Sequence, residues 1–219
     1  MPWYCATATR TTDGMLLINL FSAAGRRESV PLFPLQAVLF PGSLLPLRIF
    51  EARYMDMARD CLKTGNPFGV CLIREGEEVG APAVPEAVGC LARIAECDME
   101  ELGILKVRAE GLERFRIVDT RVGPQGLVIG AIERMGAETG AADAPGLAEC
   151  AEFLRKVIAG IGAERFAGEP AYDDATWVAF RLAEILPLRN SVRQKMLELT
   201  DASVRLAVLH QFLKKQALI

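Results

Sequence analysis

The chain has 219 residues, of which 51% are apolar and 24% charged. That composition supports a folded core in one large or two small domains and excludes wholesale disorder. A net charge of −3 is too mild to argue for nucleic acid or an anionic membrane as partner, and no apolar run approaches the roughly 20 residues of a membrane-spanning helix.

Residues 1–28 read as a loose leader, and the first 14 of them have no periodicity. "MLLINLFSAAG" has the look of a short signal segment, but Asp13 precedes it and its apolar stretch is at the bottom of the usual ~7–15 residues. The expectation is a cytoplasmic protein, with Met15 as an alternative start. From Val30 to Arg134 the pattern is mostly strand-like. In "LFPGSLLPLRIFEARY" (39–54) a first strand should end at Pro41-Gly42, where proline fixes φ and glycine tolerates a reversed dihedral. "LLPLRIF" follows as a second strand, with Pro46 at a bulge or a sheet edge because it lacks an N–H. A helix then runs from Glu51 to Leu62, with Tyr54, Met55, Ala58, Cys61 and Leu62 at helical spacing and Gly65-Asn66-Pro67 as its stop.

"FGVCLI" (68–73), "VGCLARIAEC" (88–97) and "GLVIGAIERM" (126–135) read as further strands. "GILKVRAEG" (103–111) and "LERFRIVDT" (112–120) alternate as two more. They place Leu105, Val107, Phe115 and Ile117 on one side and Lys106, Arg108, Arg114 and Arg116 on the other. Many short strands with few helices between them suggest a barrel or sandwich. After Gly136–Ala144, which reads as a linker, the pattern turns helical. Pro145 opens a first helix with the stripe Leu147, Cys150, Ala151, Leu154, Val157, Ile158 and Ile161. Further helices are expected over Asp174–Leu186, Ser191–Leu199 and from Asp201 toward Leu213. The organisation is therefore a β-rich unit (29–135), a linker (136–144) and a helical bundle (145–219).

Little in the chain points to chemistry. There is no phosphate-binding G-x-x-x-x-G-K-[ST] and no G-x-S-x-G. Cys5, Cys61, Cys71, Cys90, Cys97 and Cys150 never fall as C-x-x-C and read as small buried thiols. His210, the one histidine, reads as a rim residue without a catalytic task. No metal and no cofactor is expected. Two features stand above this background. The row Lys106, Arg108, Arg114 and Arg116 is an alternative anion-binding face, or an ordinary outer surface balanced by Glu110 and Glu113. The long connection 74–88 is the second, since such loops often carry function.

At "PLFPLQAVLFPGSLLPLRIFEARYMDMARDCL…FGVCLI", and on through Glu75, Gly76, Glu78 and Val79, the chain resembles the Lon protease N-terminal domain family. "VGCLARI", "VRAEGLERFRI" and "ILPLRNSVRQKMLELTDASVRLAVL" continue the likeness in order, so it covers roughly residues 29 to 213. The resemblance implies an α+β fold: a PUA-like pseudo-barrel of about six strands with one covering helix, then a helical bundle. It also implies a stand-alone bacterial member that lacks the ATPase and peptidase modules. The leading expectation is a non-enzymatic module that binds unfolded or damaged polypeptides, with an ATP-dependent protease or chaperone as further partner. Val79, Ala81, Pro82, Val84 and Pro85 of the loop are the candidate client contacts. Phe40, Pro41, Gly42, Pro46, Arg48, Phe50, Glu51, Arg53 and Tyr54 form a corner motif, read as a brace, with direct ligand contact as the alternative. An RNA-binding PUA-like protein and a small-ligand barrel are the competing readings.

Without a P-loop or a Ser-Lys pair in view, the purified chain should hydrolyse neither ATP nor casein. Activity that survives repurification and tracks the protein peak would overturn this.

Overall fold

The computed structural model describes residues 27–101, 103–138 and 143–219. The expected leader up to residue 26, including Cys5 and Met15, and the centre of the expected linker lie outside the described residues. The fold is α+β, with seven strands and five helices among the described residues. In order they are β1 (Glu28–Leu35), β2 (Leu44–Ile49), α1 (Ala52–Thr64), β3 (Phe68–Glu75), β4 (Val84–Pro85), β5 (Val88–Glu101), β6 (Ile104–Val122) and β7 (Val128–Arg134). Then come α2 (Leu147–Ile161), α3 (Ala175–Ile185), α4 (Asn190–Glu198) and α5 (Ala202–Lys215).

The sheet closes on itself. β1 pairs with β7, β7 with β6, β6 with β5 and β5 with β3, all antiparallel; a parallel β1–β3 pairing completes the ring. β4 extends β3, and β2 lies off the ring against the first half of β6. One cluster of buried residues, including Val30, Leu32, Cys71, Leu91, Phe115 and Ile132, draws on ring strands alone and so fills the interior. That interior is narrow. A Cβ at Gly69 would lie 2.7 Å from both Leu32 and Phe115, so a side chain there has no room. A second cluster, with Phe33, Phe68, Val70 and Val107, lies on the outer face beneath Tyr54, Met57, Ala58 and Cys61 of α1. The covering helix is thus where its periodicity placed it, and Gly65 ends it at φ 71.

Residues 103–120 differ from the expectation of two strands. They form one continuous strand, β6, and Gly111 is not a turn. Its backbone instead takes the corner: Gly42 N donates to Gly111 O (2.8 Å) and Gly111 N to Ser43 O (2.9 Å). A Cβ at Gly111 would stand 2.2 Å from Phe40 O. Beside it, Cys90 faces Arg114 whereas Ala92 faces Gly111, so β6 carries one extra residue there. Such a bulge reverses which side chains point inward. Leu105 and Val107 therefore join the outer cluster and Phe115 the interior. Arg114 is turned outward from the ring, into the bundle.

The helical half is built around α3, which buries residues on all sides, Arg181 included. Asp174 and Asp201 cap α3 and α5 by accepting from Thr176 N and Ser203 N, both at 2.8 Å. Pro145 does not begin α2. The helix starts at Leu147 after Gly146 (φ 82), over which the His210 ring packs so closely that a Cβ would meet Nδ1 at 2.6 Å. His210 Nε2 lies 2.8 Å from a Glu149 oxygen and ties α5 to α2. Cys61, Cys71, Cys90 and Cys150 are buried, whereas Cys97 is exposed, contrary to expectation, because the far end of β5 runs past the ring. Burial pushes the Cys61 and Cys150 thiols up to about 11 and that of Cys90 to about 12, so they stay protonated and unreactive.

Barrel and bundle are joined at several places, among them Gln194 Nε2 to Val88 O at 3.0 Å, and two joints centre on buried arginines. Arg181 Nη2 donates to Pro41 O (2.7 Å) and Ser43 Oγ (2.9 Å), Ala167 N donates to Gly42 O (3.0 Å), and Phe40 stacks against Phe180 at 5.6 Å. Elsewhere Glu138 is held between Arg114 and Arg205, the latter by bonds of 2.8 and 2.7 Å. Arg114 also donates to Leu197 O and Leu199 O at the end of α4.

Three substitutions test these joints. Gly42 sits at φ 73, with Arg181 Nη1 only 3.4 Å from where a Cβ would be. Gly42→Val should therefore cost roughly 1–3 kcal/mol in chemical denaturation; a wild-type midpoint would show the position to be ordinary. Glu138→Gln leaves two buried guanidinium groups short of their counter-charge and should cost about 3–5 kcal/mol. Arg116→Gln, on an exposed side chain, should leave the midpoint almost unmoved.

Candidate functional site

The turn from β2 into α1 is made by Phe50 and Glu51. Glu51 is the N-cap of α1, with extended backbone (φ −77, ψ 135), but its carboxylate makes no cap bond. It pairs with Arg53 Nη2 at 2.8 Å instead. Arg53 is buried, donates Nη1 to Gly126 O (3.1 Å) and lies 4.7 Å from the centroid of the Tyr54 ring. Tyr54 packs on Phe33 with centroids 4.2 Å apart. Burial pushes its phenol up, against the opposing pull of Arg53. Glu51, Arg53 and Tyr54 thus form a brace whose polar groups serve the fold.

Phe50 has no such duty. It is 56% exposed, beside a shallow groove floored by Phe33, Leu35, Ile49 and Tyr54, with a cavity of about 50 Å³. Val79, 55% exposed, lines the same groove. Val79 belongs to the 74–88 connection, so the corner and the long loop, separate in sequence, meet here. A bond from Gln36 N to the Glu78 carboxylate fastens the loop to the end of β1. Arg48, Glu51 and Glu78 make the rim.

The loop residues divide. Val79, Ala81, Pro82 and Val84 are exposed, whereas Pro85 is buried. Val84 and Pro85 form β4 against Glu75 and Ile73 of β3, which turns Pro85 into the core. Pro85 is therefore a structural residue and not a surface contact. Pro82 lies toward Gly126, 3.4 Å from where a Cβ would stand, and Val84 is separated from the groove by the turn of the loop. The other corner residues serve the scaffold: Phe40, Pro41 and Gly42 receive the bundle, and Pro46 is exposed on β2, which pairs with β6 alone.

The cationic row does not exist as a surface. Arg114 is buried under the bundle because of the bulge after Gly111. Arg108 pairs with Glu96 at 2.9 Å and donates to Glu164 O at 3.0 Å. Lys106 is half-buried, and Arg116 is exposed, opposite Glu133 of β7. The buried charged residues that periodicity missed are Glu138, Arg181 and Arg205. The last two left a trace: an arginine set in an otherwise apolar helical stripe is either exposed or holding something buried. Among the described residues no cluster of His, Cys, Asp and Glu could hold a metal ion, and no helix is long and apolar enough to cross a membrane.

Residues 29–215 match the model of the ATP-dependent protease La (LON) substrate-binding domain. The chain belongs to this family. Among solved structures it is similar to a Lon N-terminal domain protein from Xanthomonas campestris, with 38% identity and a TM-score of 0.70 over 83% of this chain and 96% of that one. The N-terminal domain of a Mycobacterium avium complex Lon protease shares the fold at 18% identity, with a TM-score of 0.62 and the same coverage. Protein cereblon of Xenopus tropicalis is 28% identical over 110 residues, which are 48% of this chain and 24% of cereblon. The chain thus spans about a quarter of that curated relative. As a Lon substrate-binding domain it carries the module's barrel and bundle, and the groove lies on the barrel.

Proposed function

We propose that the chain is a non-enzymatic, cytoplasmic module that binds unfolded or damaged polypeptide segments through the Phe50–Val79 groove, in the service of an ATP-dependent protease or chaperone. The observation that carries this reading is the pairing of two large exposed apolar side chains beside an apolar floor, in a member of a substrate-binding family. An unfolded client offers mainly backbone and apolar side chains, so its recognition calls for apolar surface of this kind. Covering one such anchor is worth roughly 1.5–3 kcal/mol. The RNA-binding alternative loses ground, since one of its four cations is buried and another is paired with Glu96. Descent from a PUA-like barrel is part of the same proposal.

The test is fluorescence anisotropy with a labelled, carboxymethylated and permanently unfolded α-lactalbumin, beside a labelled single-stranded RNA. Phe50→Asp with Val79→Asp should weaken the unfolded protein's binding by about tenfold or more, with the melting temperature nearly unchanged because both side chains are exposed. Arg108→Glu with Arg116→Glu should matter far less at moderate salt. If the arginine pair abolishes binding and the apolar pair leaves it intact, the groove is not the client site. Tight, salt-sensitive RNA binding would put the anion reading in its place.

A further inference from the structure

A second cavity lies where barrel and bundle meet, away from the Phe50–Val79 groove. It holds about 360 Å³, within the range of small-molecule pockets, which favour such junctions. Its walls are apolar: Pro41, Leu112, Trp177 and Phe180. These walls cannot drift apart, because Arg181 clamps the Pro41 carbonyl and the Arg114–Glu138–Arg205 set pins the base.

The charged lining residues are three carboxylates and one guanidinium. Arg114 is matched by Glu138, whose oxygens are both taken by arginines, and the surplus positive charge of that set is answered by the Met196, Leu197 and Leu199 carbonyls. Glu113 uses Oε1 on Arg134, a guanidinium that it shares with Glu28. Asp174 uses Oδ1 to cap Thr176 N. Glu113 and Asp174 each have a second carboxylate oxygen, so the lining offers acceptors to a cation. Thr176 also lines the cavity, and its Oγ1 is buried without a hydrogen-bond partner among the described residues. A buried hydroxyl of this kind costs free energy until something meets it.

We propose that this junction cleft is a binding site for a small aromatic amine: an apolar ring between Trp177 and Pro41, with its ammonium facing Glu113 and Asp174. Stacking on Trp177 suits a cationic, ring-bearing ligand, and the excess carboxylate oxygens reject an anionic one. The site stands apart from the polypeptide reading, so failure of either leaves the other intact.

The experiment titrates the isotope-labelled full chain with phenethylamine and, separately, with phenylacetate. Phenethylamine should produce saturable shifts at the Gly42 amide and the Trp177 indole N–H, with phenylacetate at least tenfold weaker. Trp177→Ala should lose at least tenfold in phenethylamine affinity. Because Trp177 also packs against the bundle, Glu113→Gln, at a partly exposed position, provides the second variant. It should narrow the gap between amine and acid while the chain stays folded. Equal binding of the two probes, shifts that never saturate, shifts that gather at Phe50 and Val79, or an unchanged gap in Glu113→Gln would each overturn the proposal.

Discussion

One carboxylate holds the two halves of this molecule in register. Glu138 follows the last barrel strand and is gripped by Arg114 from β6 and Arg205 from α5, all three nearly excluded from water. Taking such charges out of water costs several kcal/mol each, and two cations against one anion leave a surplus positive charge. The end of α4 supplies what is missing. Arg114 donates to Leu197 O and Leu199 O, and Arg205 Nε donates to Met196 O at 2.7 Å. These are the carbonyls that a helix leaves unpaired at its negative end. Phe180 lies under both guanidinium groups, with Arg205 4.1 Å from its centroid. Each partner is thereby satisfied only when barrel, junction and bundle are all in place, so the set specifies one docking geometry more than it adds net stability.

The corner segment inherits its two roles from that docking. Its first end, Phe40 to Ser43, is consumed by the bundle through Arg181 and Phe180. Its second end, Phe50 to Tyr54, serves α1 and leaves Phe50 in solvent. β2 runs between them as an edge strand, and Pro46 decides what that edge can do. Pro46 faces Arg108 in an unbroken register. Lacking an N–H, it must occupy a pair that exchanges no hydrogen bonds, so Leu45, Leu47 and Ile49 bond to β6. Leu44, Pro46 and Arg48 are left facing outward, with one donor missing in the middle. An extended chain therefore finds a blunted ladder here, and side-chain capture in the groove is the better route to a client.

Much of this was legible in the sequence, and the failures have one cause. The covering helix, its Gly65 stop, the Asp174 and Asp201 caps and the edge position of Pro46 are local properties, set by a few neighbouring residues. The side of each β6 residue is not local. Strict alternation puts Lys106 and Arg108 on one surface with Arg114 and Arg116, and a single extra residue between Gly111 and Arg114 separates the two pairs. Nothing in "AEGLERF" announces the bulge; it exists because Phe40 and Ser43 come close to Gly111 from far along the chain. The burial of Pro85 is hidden for a similar reason, since a two-residue strand has no periodicity to read. Of the candidate site, sequence supplied both lips. That Phe50 and Val79 share one groove depended on the Gln36–Glu78 bond and on the return of the loop over β1.

On the proposed reading, the groove's dimensions also set how the module would work. Its floor accepts one side chain and its lips add two apolar contacts, a gross gain of a few kcal/mol at most. Association of an unfolded chain costs at least as much in lost freedom, so a single engagement is weak. Weakness of this kind is compatible with selecting many different clients, because no polar pattern has to be matched. It becomes useful when the module is held beside a second binding element or a processing enzyme. A short tether supplies an effective concentration on the order of millimolar and converts a fleeting capture into a productive one. A rigid docking of barrel on bundle favours that arrangement, because the direction in which the groove presents a client is then fixed relative to whatever the bundle contacts.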